Sequence, residues 1–180
     1  MDYSKTHRNI VDGCLKGDRQ SQFELYRLYS KAMYNVCLRM VNSTEDAEDL
    51  LQNSFVDVFS KIDSFRAESS IGAWIKRIVV NNCINHLKKK RLKVEELIEN
   101  YHDKMVPHEE ECDYLMLSVP IVKKAMNELP TGYRVVFSLY AFEGYDHEEI
   151  GNILGISTST SKSQYSRAKQ KLRDILQPTI

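Results

Sequence analysis

The chain has 180 residues, enough for one large domain or two domains of about 100 residues or fewer. Hydrophobic residues make up 42% of it, which excludes a chain that is disordered throughout. Its 25 basic and 25 acidic residues give a formal net charge of zero, and this balance taken alone argues against a nucleic-acid partner.

The charge is unevenly distributed along the chain. Lys76–Lys93 holds seven basic and no acidic residues, whereas Val94–Asp113 holds eight acidic residues and one lysine. Outside that acidic block, 24 basic residues face 17 acidic ones, a net charge of +7. One acidic block between basic segments is typical of proteins with a polyanion partner.

The cysteines and the N-terminus indicate the compartment. The four cysteines form no C-x-x-C pair, as expected for a chain with reduced thiols: Cys14, Cys37, Cys83 and Cys112. The opening residues MDYSKTHRN are polar, unlike a signal peptide. No apolar run approaches the roughly 20 residues that span a bilayer, so we expect a cytoplasmic chain without membrane insertion.

The pattern of elements predicts an all-α fold. There are only 7 glycines and 4 prolines, and no clean alternation of apolar and polar residues. Helices are predicted over about 5–16, 19–41, 45–63, from near Ser70 through the basic run, after Pro120, and over 133–142. Residues 94–119 are acidic, contain Pro107 and have weak periodicity, which predicts a flexible linker with some transient helix. We therefore expect two small helical domains, 1–93 and 120–180, joined by an acidic linker, 94–119.

The third predicted helix has two dissimilar faces. Its apolar residues fall on one side of a helical wheel and are expected to pack inward: Ala47, Leu50, Leu51, Phe55, Val58 and Ile62. The opposite stripe consists of Glu45, Asp49, Gln52 and Val56. Mixed polar and apolar character suits a partner surface, although single exposed apolar residues are also common on ordinary solvated faces.

The fourth predicted helix changes from apolar to polar along one face. Ile71, Trp74, Ile75 and Ile78 are followed by three asparagines and then by the basic run: Asn81, Asn82 and Asn85. Amides can read base edges, and cations can hold a nucleic-acid backbone. Two other interpretations stay open: Asn81 serves buried backbone groups, and Trp74 packs in the core instead of stacking on DNA.

The segment YDHEEIGNILGISTSTSKSQYSRAKQKLRDIL (145–176) has the pattern of a helix-turn-helix. Asp146 and Glu149 form a D-x-x-E capping box at the start of a short helix. Gly155 stands where a left-handed turn residue is needed, and Ser157 can cap the next helix.

The last helix has an apolar face and a basic face. Ser161, Tyr165, Ala168 and Leu172 point inward on the wheel, and hydroxyl, amide and basic side chains lie opposite: Ser159, Lys162, Ser163, Ser166, Arg167, Gln170 and Arg173. Five basic and no acidic residues occur between Lys162 and Arg173. Such a face suits a DNA major groove, and the alternative is a solvated amphipathic helix.

Both halves resemble the extracytoplasmic-function (ECF) sigma factors, compact members of the sigma-70 family of bacterial transcription initiation factors. NELPTGYRVVFSLYAFEGYDHEEIGNILGIS resembles the family's region 4, and DAEDLLQNSF resembles region 2.2. FRAESSIGAWIKRIVVNNCINHLKKKR resembles regions 2.3 and 2.4. The resemblance covers about 19–92 and 120–176, with the two modules in the family's order.

The resemblance implies a factor that binds core RNA polymerase and directs it to promoters with minus-10 and minus-35 elements. The implied partners are the polymerase clamp helices and flap region, promoter DNA and an anti-sigma factor, and no enzymatic activity or cofactor is expected. The implied polymerase-binding residues are Glu45, Asp46, Asp49, Gln52 and Val56. The implied minus-10 and melting residues are Arg66, Ser69, Ser70, Arg77, Asn81, Asn82, Asn85, Lys88 and Lys89. The implied minus-35 residues are Ser159, Thr160, Lys162, Ser163, Gln164, Ser166 and Arg167.

Two residues depart from the family's recognition-helix pattern. Ser161 stands where a valine is expected, which predicts looser packing by about 1 kcal/mol. Gln164 replaces a common arginine. We expect both departures to give an unusual promoter preference.

Two other functions remain conceivable from the sequence. A stand-alone helix-turn-helix regulator would use only the C-terminal motif, with the N-terminal half as a sensor or dimerisation module. An enzyme acting on nucleic acid would need a catalytic constellation, which the sequence does not suggest. His86, His102 and His108 with Cys83 and Cys112 do not have a metal-binding spacing.

Overall fold

The computed structural model describes residues 3–95 and 119–176, with side chains over 7–90 and 121–176. Every regular element within these ranges is helical, which confirms the predicted fold class. The acidic linker lies outside the described residues except at its two ends. None of the helices described is both long enough and apolar enough to cross a bilayer.

The chain forms two compact units, Met1–Lys90 and Arg91–Ile180. The helices that begin in the first unit are α1 (Tyr3–Leu15), α2 (Arg19–Val41), α3 (Thr44–Ser60) and α4 (Ile71–Glu95), with a 3₁₀ turn at Ile62–Ser64. Those of the second are α5 (Val119–Asn127), α6 (Thr131–Ala141), α7 (His147–Leu154) and α8 (Thr158–Leu176).

Short polar side chains set the helix boundaries in the first unit. Asp18 accepts a hydrogen bond from the Ser21 N–H at 2.9 Å and starts α2. Ser43 accepts from the Asp46 N–H at 3.2 Å and starts α3, within the predicted NST cap. Each cap satisfies an amide that has no partner inside its own helix.

The core of the first unit lies among α2, α3 and α4. Its most buried side chains come from all three helices: Leu25, Cys37, Met40, Ser54, Val58, Ile75, Val79, Val80 and Cys83. The neighbouring Cys37 and burial together raise the pKa of the Cys83 thiol. Thiols in such surroundings stay protonated and act as small apolar side chains, which fits the expectation of reduced cysteines.

In the second unit α8 packs against α5, α6 and α7. Ala125, Met126 and Leu129 meet Ala168 and Leu172 of α8 in a small core. Arg134 of α6 is only 5% exposed, and its Nη1 donates to the Leu129 carbonyl at 2.8 Å. This bond satisfies a carbonyl just beyond the end of α5 and fixes α6 beside it.

Three predicted helix ends were wrong by a few residues. α3 ends at Ser60, not at 63, because the Lys61 N–H is shared between the carbonyls of Asp57 and Val58 and the chain tightens into the 3₁₀ turn. α4 continues to Glu95, into the segment predicted as linker. α6 begins at Thr131, directly after Pro130.

Candidate functional site

The outer face of α3 is a continuous exposed stripe. Glu45, Asp49, Gln52 and Val56 are all exposed, and Val56 reaches 67% exposure. The six residues predicted to face inward are all buried, so the wheel correctly separated the two faces. Val56 is the most exposed of the large apolar side chains that the structure describes, and its place among polar residues suits a partner surface.

Asp46 does not belong to that stripe. Its side chain is 24% exposed, and its Oδ2 accepts a hydrogen bond from Lys90 Nζ at 3.0 Å, with His86 Nε2 at 3.5 Å. The bond from Lys90 lowers the pKa of the Asp46 carboxyl. Asp46 therefore joins the start of α3 to the basic part of α4, a contact that the sequence did not reveal.

The asparagines of α4 divide into two kinds. Asn81 and Asn85 are exposed. Asn82 is half-buried, and its Nδ2 donates to Ser54 Oγ at 3.2 Å and to Asp57 Oδ2 at 2.9 Å, both on α3. Asn82 thus has an internal role, and its bonds go to side chains and not to the buried backbone groups considered for Asn81.

An exposed polar stripe runs along α4. Arg77, Asn81, Asn85 and Lys88 are exposed and follow one another at helical spacing, with exposed Lys89 beside them. This stripe presents amides and cations together, the combination that contacts bases and phosphates.

The loop before α4 has a defined shape. Arg66 and Ser69 are exposed, and the Ser70 hydroxyl accepts from the Ala73 N–H at 3.2 Å and caps α4. Ala67 has a left-handed backbone with φ of 56°, uncommon for a residue other than glycine. Trp74 is half-buried with its ring centre 5.5 Å from that of Phe65, so it packs against the loop.

The helix-turn-helix predicted from the sequence is present. Asp146 Oδ1 accepts from the N–H groups of Glu148 and Glu149 at 2.8 Å, and Glu149 Oε2 accepts from the Asp146 N–H at 2.9 Å. Gly155 is left-handed with φ of 72°. The Ser157 hydroxyl accepts from the Thr160 N–H at 3.0 Å. Because the caps and the turn are local, the sequence was sufficient to predict them.

The turn between α7 and α8 leaves no room for a side chain at Gly151. A Cβ there would lie 2.8 Å from the Ile156 carbonyl oxygen. That closeness requires glycine and brings the start of α8 against α7.

The predicted minus-35 residues of α8 differ in how exposed their side chains are. Ser159, Thr160 and Lys162 are exposed, whereas Ser163, Ser166 and Arg167 are half-buried. Gln164 leans toward the first turn of α6, where its Oε1 lies 3.5 Å from the position of a Cβ on Gly132. The outward residues form one surface that begins at the N-terminal turn of α8, and their contacts with DNA stay a prediction.

The inward face of α8 contains a polar contact that sequence reasoning missed. Ser161 is 0% exposed, and its Oγ is hydrogen-bonded to His147 Nδ1 at 2.9 Å. Desolvation lowers the pKa of His147, Lys162 acts in the same direction, and Asp146 opposes them. A serine at an inward position was itself a signal, since buried hydroxyls generally have partners.

No group of three or more metal-ligating side chains occurs within the parts of the chain that the structure describes. The candidate surfaces consist of the carboxylates, amide and valine of the α3 stripe and of the hydroxyls, amides and cations of α4 and α8. This is the chemistry of binding to polyanions and proteins.

Family models match both units. The model for sigma-70 region 2 matches residues 25–93, and that for sigma-70 region 4 matches residues 121–172. The chain is 31% identical over 170 residues to the ECF RNA polymerase sigma factor SigW of Bacillus subtilis, covering 88% of this chain and 90% of SigW.

Two further relatives agree. The ECF RNA polymerase sigma factor SigE of Mycolicibacterium smegmatis is 31% identical over 157 residues, covering 85% of this chain and 60% of SigE. Among solved structures, the sigma factor RpoE of Bartonella quintana, crystallised with the anti-sigma factor NepR, has 26% identity and a TM-score of 0.58. That match covers 86% of this chain and 95% of RpoE.

Two sigma-70 domains in the order region 2 then region 4, an all-helical fold and a relative matched over nearly its whole length lead to one assignment: the chain belongs to the ECF sigma factors, the transcription initiation factors that direct RNA polymerase to promoters.

Proposed function

We propose that this chain binds core RNA polymerase through the outer stripe of α3 and selects promoters through α4 and α8. The observation that carries the proposal is the separation of faces on α3. Its apolar side is packed into the first unit. Asp49, Gln52 and Val56, which is 67% exposed, face solvent on the opposite side. A stand-alone DNA-binding regulator has no need of such a surface.

The minus-10 element is assigned to the exposed stripe of α4 and the loop before it. Arg77, Lys88 and Lys89 would hold phosphates, and Asn81 and Asn85 would meet bases. Asn82 and Ser70 act in this proposal as positioning residues, since their side chains already bond to α3 and to the α4 backbone. Asp46 likewise orients α4 instead of touching polymerase.

The minus-35 element is assigned to the outward face of α8. Lys162 is exposed beside the hydroxyls of Ser159 and Thr160 at the N-terminal turn, where a recognition helix enters the major groove. Arg167 lies further along the same face and would contact a base. Gln164 contributes less than the pattern implied, because it leans toward α6.

The domain limits proposed for these roles are 1–93 for region 2, 94–119 for the acidic linker and 120–180 for region 4. An anti-sigma factor is a further proposed partner, by analogy with RpoE of Bartonella quintana, whose structure was determined with NepR. We propose a cytoplasmic, non-enzymatic factor that works without a cofactor, in keeping with its family.

A pull-down with purified core polymerase, followed by run-off transcription on duplex and on pre-melted templates, tests the proposal. The wild-type chain should be retained by polymerase and should make duplex templates productive. Replacing both Asp49 and Gln52 by alanine should weaken polymerase binding by about 1–3 kcal/mol without loss of folding, because both side chains are exposed. Asp12→Ala on α1 is the control for removing an exposed acidic side chain elsewhere on the first unit.

The stand-alone regulator predicts a different pattern. In that case the wild-type chain would bind DNA but would not be retained by polymerase, and pre-melting the template would make no difference. Unchanged polymerase binding by the double variant would remove the role assigned to the α3 stripe.

A further inference from the structure

The hydroxyl of Ser161 stands at an unusual place for a polar group. It belongs to the first turns of α8, next to Lys162 and two residues after Ser159, yet its own side is 0% exposed. Its hydrogen bond to His147 Nδ1, at 2.9 Å, links α8 directly to the first residue of α7. A buried hydroxyl without that partner would cost free energy, so the two side chains depend on each other.

His147 is itself held in place by aromatic rings. It stacks on Tyr140 of α6 with ring centres 4.5 Å apart and planes 18° apart. The ring of Tyr165 of α8 meets it edge-on at 5.7 Å, and Tyr165 in turn stacks on Phe137 at 5.6 Å. The His147 imidazole is therefore held in one position by its place on α7 and by aromatic rings of α6 and α8.

A hydrogen bond to a fixed point controls orientation more strictly than apolar contact does. Apolar packing is insensitive to direction, whereas hydrogen bonds prefer angles above about 150° and weaken steeply below about 120°. Ser161 lies between residues that point outward, so a rotation of α8 that strains its bond to His147 also turns Thr160 and Lys162. Base readout depends on the aim of such side chains in the groove.

We infer that the Ser161–His147 hydrogen bond fixes the rotation of α8 on α6 and α7, and thereby sets which minus-35 sequences the protein prefers. The inference rests on the proposed function of α8. Both residues are positioning residues, because neither side chain is part of the outward face. On this view the serine found where the family pattern has valine is a specificity device, paired with a histidine 14 residues earlier.

Four variants of the full chain, assembled with core polymerase, separate orientation from stability. Ser161→Ala removes the hydroxyl, and His147→Phe keeps a ring on Tyr140 but removes the nitrogen. His147→Asn places an amide where Nδ1 stood and so keeps the bond. The fourth variant combines Ser161→Ala with His147→Phe. Each holoenzyme transcribes a promoter library with a randomised minus-35 element and a constant minus-10 element, and thermal melting is recorded in parallel.

Ser161→Ala and His147→Phe should each reduce the preference for the best minus-35 sequence over its single-base variants by about 3- to 10-fold. His147→Asn should retain most of the preference, and the double variant should lose no more than either single one. Wild-type preference in both single variants, with or without a lower melting temperature, would overturn the inference, as would losses that add in the double variant. Wild-type holoenzyme with no minus-35 preference at all would overturn the proposed function of α8 along with it.

Discussion

The two units fasten their functional helices by different chemistry. In the first, α3 and α4 are joined by partly exposed polar pairs, Asp46 with Lys90 and Asp57 with Asn82. In the second, α7 and α8 are joined by a hydrogen bond between the buried Ser161 and the half-buried His147, among stacked rings. Exposed ionic contacts weaken as salt rises, whereas partly buried contacts are screened much less. The stability of the first unit should therefore depend on salt more strongly than that of the second.

The largest expected effect comes from removing the hydrogen bonds by which Asn82 connects α4 to α3. Asn82→Leu leaves the Ser54 hydroxyl, which is 0% exposed, without its amide donor. We expect a loss of up to about 3 kcal/mol in the unfolding free energy of the first unit. Chemical denaturation followed by Trp74 fluorescence reports on that unit, since Trp74 is the only tryptophan. The exposed Asn81→Leu is the control, and equal losses from both changes would contradict the internal role of Asn82.

A change of about 2 kcal/mol is expected at the face of α8 that is proposed to contact DNA. Arg167→Ala should weaken binding to the minus-35 element by that amount and relax its sequence preference, if Arg167 reads a base. Lys162→Ala should instead weaken binding to all sequences alike. It should also reduce the slope of log binding constant against log salt concentration by about one. Filter binding of holoenzyme over a salt series measures both. If neither variant differs from wild type, α8 does not lie in the groove as proposed.

A smaller effect is expected from the ion pair of the first unit. Asp46→Asn should cost less than about 1 kcal/mol, because Lys90 is largely exposed and the pair is screened. The loss should shrink as salt is added, whereas the loss from Ser161→Ala should not. Denaturation at low and high salt compares the two. If the loss of unfolding free energy in Asp46→Asn did not change with salt, the proposed difference in salt dependence between the two units would be wrong.

The smallest effect is a pH dependence confined to the second unit. Because His147 has a lowered pKa in the folded state, the unfolded chain binds its proton more readily. Stability of the second unit should therefore decline as pH falls through about 6.5, the ordinary histidine value. His147→Phe should remove that decline. Denaturation from pH 8 to pH 5, monitored by amide NMR signals of α8, tests this, and a decline that persists in His147→Phe would assign it to another group.

The local features of both units were predictable from the sequence, and the contacts between helices were not. The capping box at Asp146, the left-handed Gly155 and the cap at Ser157 depend on neighbours within four residues, so their pattern is visible in the chain. Likewise, the inward and outward faces of α3 follow from helical periodicity.

Long-range partners depend on how far each helix is rotated in the packed unit. Asn81, Asn82 and Asn85 are equivalent as sequence, and only the packing of α4 turns Asn82 toward Ser54 and Asp57. Likewise, Lys90 is one of three consecutive lysines. Only the packing of α4 brings it to Asp46, which lies 44 residues earlier in the chain. The asparagines predicted as site residues on α4 could therefore be placed on the right helix but not sorted into outward and inward ones.

The ring support of His147 has a consequence for attempts to retarget the protein. Recognition helices are attractive units for exchange between relatives, and α8 alone, Thr158–Leu176, is the obvious cassette. A transplanted α8 from this chain would bring Ser161 but leave His147 and Tyr140 behind in α7 and α6. The segment to exchange as a whole is accordingly Phe137 to Leu176, and a chimera joined between His147 and Ser161 would carry a buried hydroxyl without the imidazole that it bonds here.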